Sequence, residues 1–297
     1  MLSNGNRLIR IFEKAKRIHF RNSDRLVFFS DIHRGNNSWA DEFAKNELIY
    51  LFALQYYYDK NFTYIEVGDG DELLKFKYIE PIRIAHEQVY RLLQKYHRKN
   101  RFYYIYGNHD YEYRNPDLVY KKLNHFFDPS TNEREILFDN FEVHEGLIFK
   151  HKESGIELFS VHGHQADDLF HRTIWLNQIL LRLFWRPLQM MGLQDPGSVA
   201  QNIYKRQKVE EELVRWVDKN QQPMIAGHTH KEHFAKKGEA PYFNTGSCVH
   251  PRWITCIEIT LGEIALVRWR INPNKHGQLV IKRGLLKGPK PLENFLK

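Results

Sequence analysis

The 297-residue sequence predicts an α/β protein built on a mainly parallel sheet. Short apolar runs that are typical of buried strands alternate with amphipathic segments of helical length, and this alternation favours right-handed β-α-β crossovers. Glycine or polar residues close each apolar run, as expected where a strand ends in a turn. No linker or internal repeat divides the chain, so we expect a single domain over residues 1–297 with a helical insertion at about 167–222.

The composition excludes a disordered chain, since 42% of the residues are hydrophobic and 14% are aromatic. A net charge of +8 and a pI near 9.2 suggest an anionic partner: nucleic acid, an anionic membrane surface or a phosphorylated small molecule. Cys248 and Cys256 are too few for a disulfide framework, and their spacing matches no zinc motif. We therefore expect a cytoplasmic protein.

The segment from Met1 to Arg21 predicts a basic amphipathic helix, because basic residues interrupt its apolar positions and exclude a signal peptide. It either packs on the domain as an edge helix or makes a peripheral contact with a membrane surface. No run of about 18 apolar residues occurs, so no spanning helix is expected.

The first strand is predicted from Arg25 to Ser30 and ends in Asp31-Ile32-His33. An aspartate and a histidine two residues apart beyond a strand point the same way, so that one carboxylate and one imidazole can bind a single cation. A helix is predicted next, from Trp39 to Asp59.

The second strand, Phe62 to Val67, ends in Gly68-Asp69-Gly70-Asp71-Glu72. Three carboxylates in four residues repel one another unless a cation or a basic partner compensates them. The alternative is an acidic, solvated turn. A helix from Ile79 to His97 then returns the chain to the sheet.

The third strand, Phe102 to Tyr106, is followed by Gly107-Asn108-His109-Asp110. Asn108 offers an amide oxygen for a hard cation, and His109 offers a titratable imidazole. Parallel strands bring their carboxyl ends to one edge of the sheet, so the three polar turns are expected to meet there.

The second half of the chain repeats this placement twice. A strand from Ile156 to Val161 leads into His162-Gly163-His164, and a strand from Pro223 to Ala226 leads into Gly227-His228-Thr229-His230. The insertion between them predicts two long helices, the first with a broad apolar surface and arginines such as Arg172. It is either a packed hairpin or a lid over the site. Antiparallel strands follow, and the basic tail from Lys282 to Lys297 is expected to be partly mobile.

The five polar turns resemble, in order, the motifs of the calcineurin-like metallophosphoesterase superfamily, over about residues 25 to 260. One such motif is weak evidence, but five in order at strand ends are a strong signal. The resemblance implies a two-sheet αββα metallophosphoesterase sandwich with a helical insertion.

The resemblance also implies a site for two divalent metal ions. Asp31, His33 and His230 would hold one ion, and Asn108, His162 and His228 would hold the other, with Asp69 bridging them. Mixed carboxylate, amide and imidazole ligands suit manganese best, with iron or zinc as alternatives. The choice of His162 over His164 as the ligand rests on the resemblance alone.

The implied reaction is hydrolysis of a phosphate ester or pyrophosphate by a metal-bridging hydroxide. His109 would stabilise the transition state or protonate the leaving oxygen. Glu72 stands where related phosphatases carry a shorter carboxylate that orients this histidine, and Asp110 is a further catalytic candidate. The candidate substrate contacts are His164, Arg34, Arg172 and Arg252.

The substrate is a separate question. The plan of the insertion resembles that of UDP-2,3-diacylglucosamine hydrolases, which act on a lipid-linked nucleotide sugar, but His109 is the usual residue of general phosphoesterases. A general phosphodiesterase or nuclease is one alternative, favoured by the net charge of +8, although no nucleic-acid stacking platform stands out. An inactive metal-binding scaffold is another, and the oligomeric state is left open.

Overall fold

A computed structural model of the chain describes residues 4–128, 131–167, 188 and 203–295. Within these ranges the helices are α1 (Asn4–Lys14), α2 (Glu47–Asp59), α3 (Glu80–Ala85), α4 (Glu87–Arg98), α5 (Pro116–Leu123) and α6 (Ile203–Asn220). The strands are β1 (Lys16–Phe20), β2 (Arg25–Phe29), β3 (Thr63–Val67), β4 (Phe102–Ile105), β5 (His125–Asp128), β6 (Glu133–Ile136), β7 (Val143–His144), β8 (Gly146–His151), β9 (Glu157–Val161), β10 (Met224–Ala226), β11 (His233–Phe234), β12 (Tyr242–Asn244), β13 (Trp253–Thr260), β14 (Glu263–Pro273) and β15 (Leu279–Pro291).

Two large sheets carry the fold. One has seven strands in the order β15-β14-β13-β2-β3-β4-β7, and the other has six in the order β1-β8-β9-β10-β12-β11. Strands β2, β3, β4 and β7 pair in parallel, whereas β13 joins β2 in antiparallel orientation. The predicted parallel β-α-β-α-β unit is therefore confirmed.

The sheets and helices form four layers separated by three apolar clusters. Helices α2 and α4 pack on the outer face of the seven-stranded sheet, the two sheets pack face to face, and α1 and α6 cover the outer face of the six-stranded sheet. The αββα architecture expected from the sequence is thus observed.

Strand β2 shows how the sequence specifies these layers. Val27 and Phe29 belong to the cluster beneath the helices, whereas Leu26 and Phe28 belong to the cluster between the sheets. Successive side chains of a strand point to opposite faces, so a strand covered on both faces must be apolar throughout. This explains why the apolar residues of β2 form a continuous run rather than alternating with polar residues.

The helix predicted from Met1 to Arg21 is shorter in the structure. The helix ends at Lys14, and residues Lys16–Phe20 form β1, which pairs in parallel with β8. Leu8 and Ile11 are buried against the sheet, as the apolar face of an amphipathic helix should be, whereas Ile9 is exposed. The β-branched and aromatic residues of β1 complete a sheet edge, and this tertiary pairing overrides the helical periodicity.

Two predicted helices are shorter than expected. Helix α2 begins at Glu47 rather than Trp39, because the Asp41 carboxylate accepts the backbone N–H groups of Asn37, Phe43 and Ala44 and holds the preceding residues in a turn. The helix predicted from Ile79 to His97 is divided at His86, whose buried imidazole contacts Asp41 and Glu47.

The tail expected to be partly mobile forms a strand and a 3-10 turn in the residues that the structure describes. Leu279–Pro291 forms the edge strand β15 on β14, and Leu292–Phe295 forms a 3-10 turn whose Leu292 and Phe295 are buried between the sheets. Most of the predicted insertion, including Arg172, lies outside the described residues; its second helix corresponds to α6. Among the described residues, no helix is long and apolar enough to cross a membrane.

Two of the three leucines of α2 provide a test of this layering. Leu54 is fully buried beneath the helix, whereas Leu48 is 74% exposed. We expect Leu54→Ala to lower the free energy of unfolding by about 2–5 kcal/mol, because it removes packed methyl groups and leaves a cavity. The control Leu48→Ala should change it by less than about 0.5 kcal/mol. Urea unfolding followed by circular dichroism measures both, and equal effects would contradict the layer assignment.

Candidate metal centre

The site lies where strand ends from both sheets converge. Beyond β2 and β3 the parallel ladder continues, with Asp31 N donating to Gly68 O (3.1 Å) and His33 N donating to Asp69 O (2.8 Å). In the other sheet, Gly227 N donates to His162 O across the ends of β9 and β10 (2.9 Å). These backbone bonds fix the turns that carry the predicted ligands.

One candidate group consists of Asp31, His33 and His230. His230 Nε2 lies 3.1 Å from both Asp31 Oδ1 and His33 Nε2. His33 Nε2 lies 3.9 Å from Asp31 Oδ1. One carboxylate oxygen and two imidazole nitrogens of these three candidate ligands therefore face a common point.

A second candidate group consists of Asp69, His162 and His228. His162 Nε2 lies 3.1 Å from Asp69 Oδ2 and 3.2 Å from the amide oxygen of Asn108. The rings of His162 and His228 are 5.1 Å apart between centroids. The four predicted side chains on this side are thus brought together.

Asp69 belongs to the second group but also faces His33 of the first group. Its Oδ2 atom is 3.1 Å from His162 Nε2 and 3.8 Å from His33 Nε2, while its Oδ1 atom accepts the backbone N–H of His109 (2.8 Å). One oxygen is used to hold the neighbouring turn, and the other faces both histidines. This arrangement suits a bridging ligand.

The hydrogen bonds behind the site direct ligand atoms into it. His162 Nδ1 lies 2.8 Å from the carbonyl oxygen of Val67, so Nδ1–H donates and Nε2 faces the site. Asp31 Oδ2 accepts from Ser30 Oγ and from His228 N, whereas the other oxygen of Asp31, Oδ1, is buried and has no hydrogen bond among the described residues. Donor types and orientation therefore fit divalent cations.

The backbone at the site is strained. Five of the seven candidate ligands adopt left-handed φ angles between 52° and 69°, a region that residues other than glycine seldom occupy. They are Asp31, His33, Asp69, His228 and His230. Such strain persists only where surrounding structure enforces it, and it concentrates at functional sites. Glycine is needed beside them, because a Cβ at Gly68 would lie 2.4 Å from His162 Nδ1.

The electrostatics of the site keep both aspartates ionised. Burial raises the pKa of Asp31, but His230 and His162 outweigh it and lower the pKa to about 2. Burial likewise opposes ionisation of Asp69, yet His162 and His109 hold its pKa well below the usual value. For His228, burial lowers the pKa despite the opposing contact with Asp167, and the neighbouring His162 adds to the lowering, which favours the neutral imidazole that a metal ligand requires.

The predicted contact between Glu72 and His109 is present. Glu72 Oε1 lies 2.7 Å from His109 Nδ1, and Glu72 Oε2 lies 3.1 Å from His33 Nδ1. Burial lowers the pKa of His109, but the Glu72 and Asp69 carboxylates raise it to about 9. Its side chain is 21% exposed, so the ring is accessible from the solvent side of the site.

Asp110 lies behind the site, which argues against the direct catalytic role expected from the sequence. It is fully buried and accepts hydrogen bonds from Gly70 N, Gly107 N and Tyr104 Oη. These bonds tie the turn after β3 to the turn after β4. Asp110 thus positions the segments that carry Asp69 and Asn108.

Arg34 does not reach a substrate, contrary to expectation. Its guanidinium is 1% exposed and forms ion pairs with Glu66 (2.5 Å) and Asp71 (2.8 Å) behind the site. Arg252 is exposed in the turn before β13. His164 is buried, with its ring centroid 5.6 Å from that of His162 and about 6 Å from those of Tyr106 and Tyr111. Arg172 lies outside the described residues.

Sequence reasoning missed two residues that support the site. Asn244 donates to Gly227 O (2.8 Å) and to Thr229 Oγ1 (3.2 Å), which fixes the turn carrying His228 and His230. Lys75 is buried beside Glu72. The polar end of strand β12 was a signal for Asn244, whereas a lysine three residues after Glu72 gives no recognisable pattern.

Comparisons with solved structures show similarity at low identity. Vps29 from Chaetomium thermophilum has 8% identity and a TM-score of 0.42, with 91% of this chain and 99% of that chain covered. A cold-active protein-tyrosine phosphatase of a psychrophilic Shewanella species has 11% identity and a TM-score of 0.39, covering 92% and 83%. A putative 5'-nucleotidase from Staphylococcus aureus has 14% identity and a TM-score of 0.34, covering 88% and 53%. These similarities support no inference about activity.

No curated protein matches the sequence. The family described as calcineurin-like phosphoesterase matches residues 24–232, which include every candidate ligand of the two groups. That match covers most of the chain, and it agrees with the αββα layers and with the histidine and aspartate clusters at the strand ends. The chain belongs to the calcineurin-like phosphoesterase family.

Proposed function

We propose that the protein hydrolyses a phosphate ester or pyrophosphate with two divalent metal ions, manganese being the expected metal. The observation that carries the proposal is Asp69 Oδ2, which lies within 3.8 Å of one imidazole from each candidate group. An oxygen in that position can serve two ions at once, and the remaining ligands are already grouped on either side of it.

Bound divalent ions would activate water and neutralise charge on the phosphoryl oxygens. The role of the protein is to position the side chains that bind the ions. Asp31, His33 and His230 would serve one ion, and Asn108, His162 and His228 would serve the other. Because buried hydrogen bonds fix the Nδ1 atom of His162 and the Oδ2 atom of Asp31, little reordering is needed when ions bind.

His109 is proposed to donate a proton to the leaving oxygen or to stabilise the transition state. Glu72 accepts the Nδ1–H of His109 and, with Asp69, raises the pKa of the ring to about 9, so the protonated ring keeps an Nε2–H that it can donate to the leaving oxygen. The partial exposure of His109 agrees with access by a substrate from solvent.

Two classes of substrate are considered. A lipid-linked nucleotide sugar of the UDP-2,3-diacylglucosamine type is one candidate, supported by the plan of the insertion and the basic character of the chain. A general phosphodiester or nucleic acid is the alternative. An inactive scaffold is less favoured, because every predicted ligand and His109 are present at the site.

The bridging role of Asp69 is tested by Asp69→Asn. An amide can still accept the N–H of His109, so the fold should persist, but the lost charge should abolish binding of at least one ion and lower turnover by more than about 100-fold. Titration calorimetry with Mn²⁺ gives the stoichiometry. The exposed Asp139→Asn is the control. Unchanged stoichiometry and turnover would contradict the two-metal site.

The role of His109 is tested by His109→Gln. We expect kcat to fall about 10²- to 10⁴-fold, because the proton donor is lost, while Mn²⁺ binding is largely retained. Steady-state kinetics and calorimetry measure the two effects, with the exposed His19→Gln as the control. A normal kcat would exclude His109 from the chemistry.

The substrate class is tested by comparing turnover of UDP-2,3-diacylglucosamine, bis-p-nitrophenyl phosphate and p-nitrophenyl phosphate with Mn²⁺. If the insertion serves a lipid-linked substrate, kcat/KM for the nucleotide sugar should exceed that for the aryl esters by several orders of magnitude. Faster hydrolysis of the aryl diester would instead favour a general phosphodiesterase. Metal binding without hydrolysis of any of the three would favour the scaffold.

A further inference from the structure

The Glu72 carboxylate holds two histidines of the site at once. Its Oε1 atom lies 2.7 Å from His109 Nδ1, and its Oε2 atom lies 3.1 Å from His33 Nδ1. The two rings pack edge to face, with centroids 4.5 Å apart at 89°. One carboxylate therefore sets the orientation of a candidate metal ligand and of the candidate proton donor.

A glutamate side chain is harder to hold in one conformation than an aspartate side chain. It has one more methylene group, and so one more torsion, than an aspartate. A freely rotating carboxylate would lose one histidine or the other, so the extra torsion must be fixed by neighbours. The backbone contributes one bond, from Lys75 N to Glu72 Oε1 (3.2 Å).

The Lys75 side chain supplies a second contact. It is 5% exposed, and its ammonium lies 3.6 Å from Glu72 Oε2 and 2.8 Å from Glu42 Oε1. A buried lysine requires compensating partners, and both of these are carboxylates. Glu42 is 45% exposed, so the ammonium connects a carboxylate at the surface to the carboxylate behind the site.

We propose that Lys75 is a positioning residue, which anchors Glu72 where its carboxylate holds both His33 and His109. This inference rests on the proposed function. Lys75 acts through Glu72, since the ion pairs of its ammonium are with Glu72 and Glu42. Its removal should therefore affect metal affinity and kcat together, without a matching effect on KM.

The test compares Lys75→Met, Lys75→Arg and the control Lys77→Met, whose lysine is exposed two residues further along. The readouts are Mn²⁺ affinity by calorimetry, and kcat and KM with bis-p-nitrophenyl phosphate. For Lys75→Met we expect kcat and Mn²⁺ affinity each to fall about 10- to 100-fold, as is usual when a residue supporting a metal ligand is removed. Lys75→Arg should restore most of both, and Lys77→Met should match the wild type.

A double-mutant cycle with Glu72→Gln separates positioning from general destabilisation. If Lys75 acts through Glu72, Lys75→Met should cause no further loss in the Glu72→Gln protein. Losses that multiply would overturn the proposal, as would wild-type kcat and metal affinity in Lys75→Met. If Lys75→Met does not fold, Lys75→Gln takes its place in the cycle. If the wild type hydrolyses no ester, the proposed function fails, but the Mn²⁺ affinities still decide the role of Lys75.

Discussion

Two buried carboxylates, Asp31 and Asp69, face the same small volume. Burying two negative charges so close together is unfavourable, and the groups around them compensate for it. Like charges in a low-dielectric interior repel strongly, so each must be compensated. Histidines from four different strand ends surround them, and backbone N–H groups of His228 and His109 bind their outer oxygens. The strained backbone of five candidate ligands is a further part of that cost, since it directs the side chains inward.

A second layer of buried polar groups supports the turns. Arg34 pairs with Glu66 and Asp71, and the hydroxyls of Tyr90 and Tyr113 donate to the two oxygens of Asp71 (2.5 and 2.6 Å). Such a network is costly to break, because any member left alone would be a buried, unsatisfied group. It ties the turn after β2 to the turn after β3, which together carry Asp31, His33 and Asp69.

The sequence predicted the placement of the polar turns better than the bounds of the helices and strands around them. The ligand turns follow strands whose apolar runs are unambiguous, so their placement at one edge could be derived from the parallel topology. The break at His86 and the burial of Arg34 could not, since each depends on a partner distant in sequence, Asp41 for His86 and Glu66 for Arg34. The start of α2 at Glu47 was missed because the local hydrogen bonds of Asp41 hold the preceding residues in a turn despite their apolar positions. The β15 edge strand was missed because its basic residues resemble a mobile tail, whereas tertiary pairing with β14 gives it order.

The separation of the two halves of the site along the chain has a consequence for folding. The hydrogen bond between Asp31 and His228 joins residues 197 positions apart, as does the contact between His33 and His230. Contacts of such long range form only after the loops between them are closed, which makes folding slow relative to helical proteins of equal stability. During synthesis, the first half of the site emerges long before the second half, with its aspartates still uncompensated by His228 and His230. The complete site therefore forms only when both halves of the chain have folded together. Metal ions that bind there would stabilise the native state relative to every partly folded state.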